Sequence, residues 1–315
     1  MSPKLRLIFF GNSQSVFSNR FFMPLLDTPC DLVGVVNVPS AKRLSTNPST
    51  GSGIPAFVDT SQARGIPVFE PPNPNTPDFV ATLTGLNPDL FLAAGYMFLL
   101  KPPLLSIPRL LAVNLHASLL PAYRGKHPVF WALRNGARQV GMSVHVMDPH
   151  FDTGDILYQV RVRTRKLDTV NSLYDRIIEK SISLVPRLIA DVAHGSLPRI
   201  KQQQDGATYF SSVGDSDFHL EWTRPAESLR RWIQTSPGEC WCMVAGQRLY
   251  FLNAEVEPYS GPAIPGELIR LGRYSATLAT GQDALVVRWV RPEAGDKRSV
   301  AGLCTEMGLR VGSIL

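Results

Sequence analysis

Short apolar runs alternate with amphipathic stretches through the first two-thirds of this chain. Leu5 to Phe10, Leu32 to Val36, Ile66 to Phe69, Leu90 to Gly95 and Leu111 to Val113 are short and mostly apolar. Turn residues bound them, which is the pattern of buried strands. Between them, Val16 to Leu26 predicts an amphipathic helix and Pro77 to Leu86 a second. Pro128 to Asn135 predicts a short helix, while Met142 to Met147 and Ile156 to Arg163 alternate as strands do. Asp168, read as an N-cap, opens one long helix to about His194, with Gly195 at its end. Strands alternating with helices predict an α/β domain with a Rossmann-like, mostly parallel sheet covered on both faces. Gly11-Asn-Ser-Gln-Ser reads as a strand-to-helix turn capped by Ser15; it lacks the GxGxxG spacing and the lysine of a nucleotide loop.

The pattern changes in the last third. Residues 39 to 53 are rich in Ser, Thr, Pro, Asn and Gly and read as a loop inside the first domain. Lys201 to Gly206 is polar and reads as a linker, which divides the chain into domains at 1–200 and 208–315 with 201–207 between them. Beyond it, Ala226 to Gln234 predicts a helix. Trp241 to Val244, Leu249 to Leu252, Glu267 to Leu271, Ser275 to Thr280 and Ala284 to Val290 predict short strands separated by Gly and Pro turns. Several short strands of this kind suggest a small β-barrel.

Composition narrows the class. With 315 residues, each domain is large enough for its own core, and 44% hydrophobic with 18% charged residues is ordinary for a soluble enzyme. The longest apolar run, Leu90 to Leu100, is too short to span a bilayer, and Gly11-Asn12 ends the first run too early for a secretory signal. Cys240-Trp-Cys242 has the wrong spacing for a zinc knuckle or a CxxC redox pair, so free thiols and a cytoplasmic location are expected. Net charge is +6, but residues 206–315 carry 11 Lys/Arg against 12 Asp/Glu, a balance of −1. A second domain built to hold nucleic acid should be basic.

The candidate chemistry lies in two motifs. Asn114-Leu-His116-Ala-Ser118-Leu-Leu-Pro121-Ala-Tyr-Arg124-Gly125 follows an apolar run, and Asp152-Thr-Gly154-Asp155 comes 27 residues after Gly125. An amide, an imidazole and a carboxylate at strand ends can polarise a carbonyl, stabilise an oxyanion and manage a proton. No second ligand stands at suitable spacing from His116, so no metal is expected.

These motifs resemble the signature of the folate-dependent formyltransferase family, and the resemblance runs from Leu5-Arg-Leu-Ile-Phe-Phe-Gly11 through Ala94-Gly-Tyr-Met-Phe-Leu-Leu100 to Ala294-Gly-Asp-Lys-Arg298. It implies a Rossmann-like formyltransferase domain followed by a small OB-like barrel. It also implies transfer of a formyl group from 10-formyltetrahydrofolate to an amine. Asn114 and His116 would face the oxyanion, and Asp152 would act on His116 and on the proton the amine loses. The pterin would slot between Met97-Phe98-Leu99-Leu100 and the segment from Asp148 to Asp152 that contains Phe151, matched mainly by backbone.

Members of the family differ in acceptor. Length, linker and barrel resemble the methionyl-tRNA enzymes, as does Asp217-Phe-His-Leu-Glu-Trp222. Three departures point away from tRNA: Lys42 and Arg43 are the basic residues of the 39–53 loop, the second domain is not basic, and bulky Lys126-His127-Pro-Val-Phe130-Trp131 follows Arg124-Gly125. Ser118, Arg124, Lys126, His127 and Phe130 are accordingly read as the acceptor side of the pocket. The alternative for Phe130 and Trp131 is the buried face of a short helix. The favoured acceptor is an amine on a small molecule, such as an amino sugar, an amino acid or a natural-product intermediate. Such a substrate could be presented on a carrier protein steered by the basic first domain. Methionyl-tRNA is the alternative partner, and a hydrolase or non-catalytic folate-binding protein is the third reading. No membrane partner is expected.

Overall fold

The computed structural model describes residues 4–39 and 53–315; most of the segment read as a loop at 39–53, with Lys42 and Arg43, lies outside the described residues. The elements are, in order, β1 (Leu5–Gly11), α1 (Val16–Phe22), β2 (Cys30–Asn37), α2 (Phe57–Ala63), β3 (Val68–Phe69), α3 (Pro77–Gly85), β4 (Leu90–Ala94), α4 (Pro102–Leu105), β5 (Leu111–His116), β6 (Arg124–Gly125), α5 (Pro128–Arg134), β7 (Gln139–Val146), β8 (Ile156–Arg163), α6 (Val170–Ser181), α7 (Leu184–His194) and β9 (Tyr209–Phe210). They continue with α8 (Ala226–Thr235), β10 (Trp241–Val244), β11 (Gln247–Phe251), β12 (Glu255–Glu257), β13 (Leu268–Leu271), β14 (Ala276–Ala279), β15 (Ala284–Val287), β16 (Trp289–Pro292), β17 (Arg298–Ser299) and α9 (Val300–Glu306). Among the described residues no helix is long and apolar enough to cross a membrane.

The chain forms two compact units. The first comprises residues 1–128, 139–163 and 174–210. Its seven-stranded sheet has the order β3-β2-β1-β4-β5-β7-β8. The strands from β3 to β5 are parallel, and β7 is antiparallel to both its neighbours. The central strands β1 and β4 are buried on both faces, which is why Leu5–Gly11 and Leu90–Ala94 read as nearly unbroken apolar runs. Ile8, Phe10, Phe91, Leu100 and Leu104 pack one side of that core. On the other, Phe9 meets Phe22 and Phe57 edge-on.

Proline shaped two departures from the expected helices. The stretch from Val16 to Leu26 is α-helical only to Phe22, then continues as a 3-10 turn over Met23–Asp27 with Pro24 at its start. The single helix expected from 168 to 194 is two, α6 and α7, because Pro186 has no N–H to give residue 182 and its ring crowds that carbonyl. The cap of α6 is Thr169 rather than Asp168: Thr169 Oγ1 accepts from Ser172 N at 3.2 Å and Ser172 Oγ accepts from Thr169 N at 3.0 Å. Ser15 occupies the N-cap position of α1, but its side chain makes no capping bond.

The second unit comprises residues 129–138, 164–173 and 211–315. Two four-stranded antiparallel sheets, β10-β11-β16-β17 and β12-β15-β14-β13, enclose a core with Trp222, Leu229, Ile233, Phe251, Leu278 and Val290. The run from Ala284 to Val290 reads as one strand but is broken at Arg288, where Asn253 Oδ1 accepts from Arg288 N at 3.4 Å and Trp289 N at 3.1 Å. The two halves, β15 and β16, join different sheets. All four cysteines are free, and burial pushes the Cys240 and Cys242 thiols up to about 12.

Candidate active site

Strand β5 carries Asn114 and His116 two residues apart, so both side chains project from the same face of the sheet at its carboxyl end. Its neighbour β7 is paired so that Asn114 faces His145 and His116 faces Ser143. Directly opposed residues bring their side chains into contact. Asn114 Nδ2 lies 3.1 Å from His145 Nε2.

Asp152 enters this pair from the loop between β7 and β8. It adopts a left-handed backbone, φ 58°. Its Oδ1 accepts from Asn114 Nδ2 at 3.3 Å and lies 3.3 Å from His145 Nε2; its Oδ2 lies 3.5 Å from His116 Nδ1 and accepts from the Gly125 N–H at 2.8 Å. Asp152 is 8% exposed, His116 6% and His145 2%. Burial opposes ionisation of this carboxyl. The charge of His116, the hydrogen bond and charge of His145 and the Gly125 N–H outweigh it and hold the group well below the usual carboxylate range.

The backbone defines which imidazole nitrogens carry hydrogen. His116 Nε2 lies 2.8 Å from the Tyr123 carbonyl, and His145 Nδ1 lies 2.8 Å from the Val146 carbonyl. A carbonyl only accepts, so both of these nitrogens are donors. His145 Nε2 then faces both the Asn114 amide and Asp152 Oδ1, and His116 Nδ1 is the nitrogen turned toward Asp152. A carboxylate only accepts, so the end of the Asn114 amide turned toward Asp152 is the N–H.

Two glycines let the loops reach these distances. Gly125 has φ +92°, and a Cβ there would meet the Phe210 carbonyl at 2.2 Å. A Cβ on Gly154 would meet the Val146 carbonyl at 2.0 Å. Tyr123, Gly125 and His127 all have positive φ, so every second residue of this loop is left-handed. The pairing of β6 with β9 holds that conformation.

Of the residues the sequence singled out, Asn114, His116 and Asp152 come together. Leu99, Arg124 and Phe151 line a cavity of about 450 Å³, together with Thr153, Thr208 and Tyr209. Leu100 is fully buried in the first core, while Met97 and Phe98 are half-buried, with Phe98 against Tyr96. Asp148 is tied into its own loop, accepting from Thr153 Oγ1 at 2.7 Å and His150 N at 3.0 Å. The Ser118 hydroxyl donates to the Ala122 carbonyl at 2.8 Å. Lys126 is exposed; His127 is half-buried, and burial, then the Lys126 charge, lowers its pKa. Phe130 packs in the second unit against Trp131 and Phe218, in the core of that unit.

Sequence reading missed His145 and Gln202. His145 sits inside an alternating strand, Met142 to Met147, and its signal is that Ser143 and His145 make the polar face of that strand. Gln202 lies in the polar stretch read as linker, which gave no signal.

Residues 5–189 match the family described as formyl transferase, and residues 213–307 match formyl transferase, C-terminal domain. The chain belongs to the folate-dependent formyltransferase family. It is 30% identical over 318 residues to a methionyl-tRNA formyltransferase of Synechococcus sp. (strain JA-3-3Ab), covering 98% of this chain and 97% of that protein. Similarity to a methionyl-tRNA formyltransferase of Pseudomonas putida (strain F1) is 32% over 301 residues, 95% of each chain. Among solved structures, the sugar 3N-formyl transferase WlaRD, crystallised with dTDP and 5-N-formyl-THF, has a TM-score of 0.65 at 13% identity and covers 94% of this chain and 100% of its own. HypX from Aquifex aeolicus in complex with tetrahydrofolic acid has a TM-score of 0.61 at 16% identity; 99% of this chain matches 49% of HypX, so the chain spans about half of that protein. The structural likenesses establish the formyltransferase fold. Formyltransferase chemistry follows from the family.

Proposed function

We propose that this enzyme moves a formyl group from 10-formyltetrahydrofolate to a primary amine on a small molecule. The observation that carries the transfer chemistry is the convergence of Asn114, His116 and His145 on Asp152 within 3.3–3.5 Å. Asn114 and His116, whose donors here face Asp152, His145 and the Tyr123 carbonyl, would turn one toward the negative charge that develops on the formyl oxygen, a contribution of about 2.7–4 kcal/mol for one such donor. Asp152, held ionised, keeps His116 oriented and can receive the proton the amine loses. Leu99 and Phe151, on the two segments read as the pterin slot, line one cavity, so the residues present fit a folate donor.

The small-molecule acceptor is supported by the charge of the second domain, 11 basic against 12 acidic residues over 206–315. Full-length similarity to enzymes named methionyl-tRNA formyltransferase favours the second reading, transfer to methionyl-tRNA. We read the C-terminal unit as an OB-like barrel, a reading supported by the passage of the chain at Arg288 from one sheet to the other.

The test is a transfer assay with 10-formyltetrahydrofolate against amino sugars, amino acids and charged methionyl-tRNA, following tetrahydrofolate release and the mass gain of the acceptor. Formylation of a small amine in preference to tRNA is expected. Competent transfer to tRNA would overturn the acceptor assignment, and donor cleavage without any acceptor would point to a hydrolase.

A further inference from the structure

Gln202 belongs to neither motif, yet both converge on its one amide. Its Oε1 accepts from Arg124 Nε at 3.2 Å and Nη2 at 2.8 Å. Its Nε2 donates to the Asp152 carbonyl at 2.9 Å and the Gly154 carbonyl at 2.7 Å. An amide has two N–H groups and one carbonyl oxygen with two lone pairs, so every hydrogen-bonding position of Gln202 is used. Two of those bonds fall on the loop that carries Asp152 and two on the residue preceding Gly125, whose N–H holds Asp152 Oδ2.

The consequence for the site is geometric. Asp152 is a non-glycine residue in the left-handed region, a conformation that persists only where its surroundings impose it. Its side chain is oriented by Asn114, the two imidazoles and Gly125, but its peptide carbonyl is oriented by Gln202. Beside it, Arg124 is 6% exposed and has no carboxylate ion pair among the described residues; Gln202 and, at 3.4 Å, Gln204 supply its side-chain acceptors. A buried cation so placed is stable while neutral oxygens face it, and a glutamine offers one without adding a charge beside Asp152.

We infer that Gln202 is a positioning residue for formyl transfer: it locks the Arg124–Gly125 segment to the Asp152–Gly154 turn and so sets the Asp152 carboxylate against His116 and His145. This rests on the proposed transfer reaction for its kinetic consequence, and on the hydrogen bonds alone for its structural one. The two halves of the clamp can be separated by substitution. Gln202→Glu keeps an acceptor, now anionic, for Arg124 but replaces the donor facing Asp152 and Gly154 with a second acceptor. Gln202→Met keeps the length and loses both halves without adding charge.

The experiment uses the full chain and three readouts: melting temperature, backbone hydrogen exchange over residues 148–155, and the pH dependence of kcat. For Gln202→Glu the melting temperature should stay near wild type while exchange over 148–155 speeds up at least tenfold. The same variant should lose about tenfold to a hundredfold in kcat, the scale on which small misplacement of a reacting group acts. The acid limb of its kcat profile should move to higher pH, because a carboxylate released from its imidazole partners is easier to protonate. Gln202→Met should show the same exchange, kcat and pH changes. Unchanged exchange over 148–155 in both variants would overturn the positioning role, whatever the activity. So would kcat losses that only track a fall in melting temperature, with the acid limb unmoved. A wild-type protein that transfers no formyl group would instead sink the transfer reading, and the exchange data would still decide the clamp.

Discussion

Asp152 carries the sharpest residue-scale expectation, because its left-handed backbone, burial and four polar neighbours all act on one carboxylate. Asp152→Ala should lower the transfer rate by about 10²–10⁴, the usual worth of a positioned acid–base group, while donor binding persists. Near-normal turnover in that variant would remove Asp152 from the mechanism. Its ionisation also belongs to stability. The folded-state pKa is depressed, so its contribution is full above the unfolded value of about 4 and is lost as pH falls through the folded value. The stability gap between wild type and Asp152→Asn in denaturant melts should therefore be flat near neutrality and narrow below about pH 4. A gap that widens in acid would mean the shift has the opposite sign. At this scale three of the four clustered groups were legible, because Asn114, His116 and Asp152 stand at ends of apolar runs beside Pro and Gly. His145 was not, because the polar Ser143–His145 face marks its own strand but not the register that sets it opposite Asn114 across β5 and β7.

Elements explain how the loops hold their shape. The two-residue strands β6 and β9 are too short to show any periodicity, so neither could be read from the chain. The long parallel strands could, because burial on both faces leaves them almost wholly apolar. Helix ends were read less well for a local reason: Pro186 splits what amphipathicity alone makes continuous, and Thr169 competes with Asp168 for the same cap. The β6–β9 pairing nevertheless bears directly on the site, since Gly125 both pairs with Phe210 and donates to Asp152. Gly125→Ala should be destabilising by about 1–3 kcal/mol from backbone strain, with more from the clash at 2.2 Å with the Phe210 carbonyl. Chemical denaturation measures the loss directly, and a transition midpoint equal to wild type would mean this loop readily adopts another conformation. Activity should fall further than stability, because the displaced N–H is the one that holds Oδ2.

At the scale of the whole molecule, the candidate reaction groups and the charge reading of the acceptor rest on different parts of the chain. The candidate reaction groups and the cavity belong to the first unit, whose residues were largely legible from motif and periodicity. The second unit has a core of its own, and residues 206–315, which make up most of it, carry no net positive charge to neutralise phosphates. A tRNA acceptor held through its backbone releases counterions, so its kcat/KM falls steeply and linearly with salt on logarithmic axes, by about 0.9 in slope for each phosphate neutralised on a duplex. A small amine has few charges to screen. The kcat/KM of the preferred acceptor should accordingly vary little between low and physiological salt, and a preferred small amine whose kcat/KM holds across that range fits a second unit without a nucleic-acid surface. A steep slope with methionyl-tRNA as the best substrate would mean that local basic groups outweigh the net balance of −1, and that the charge argument fails where it matters. The measurement therefore tests the charge reading and the acceptor together, independently of the donor chemistry that both readings share.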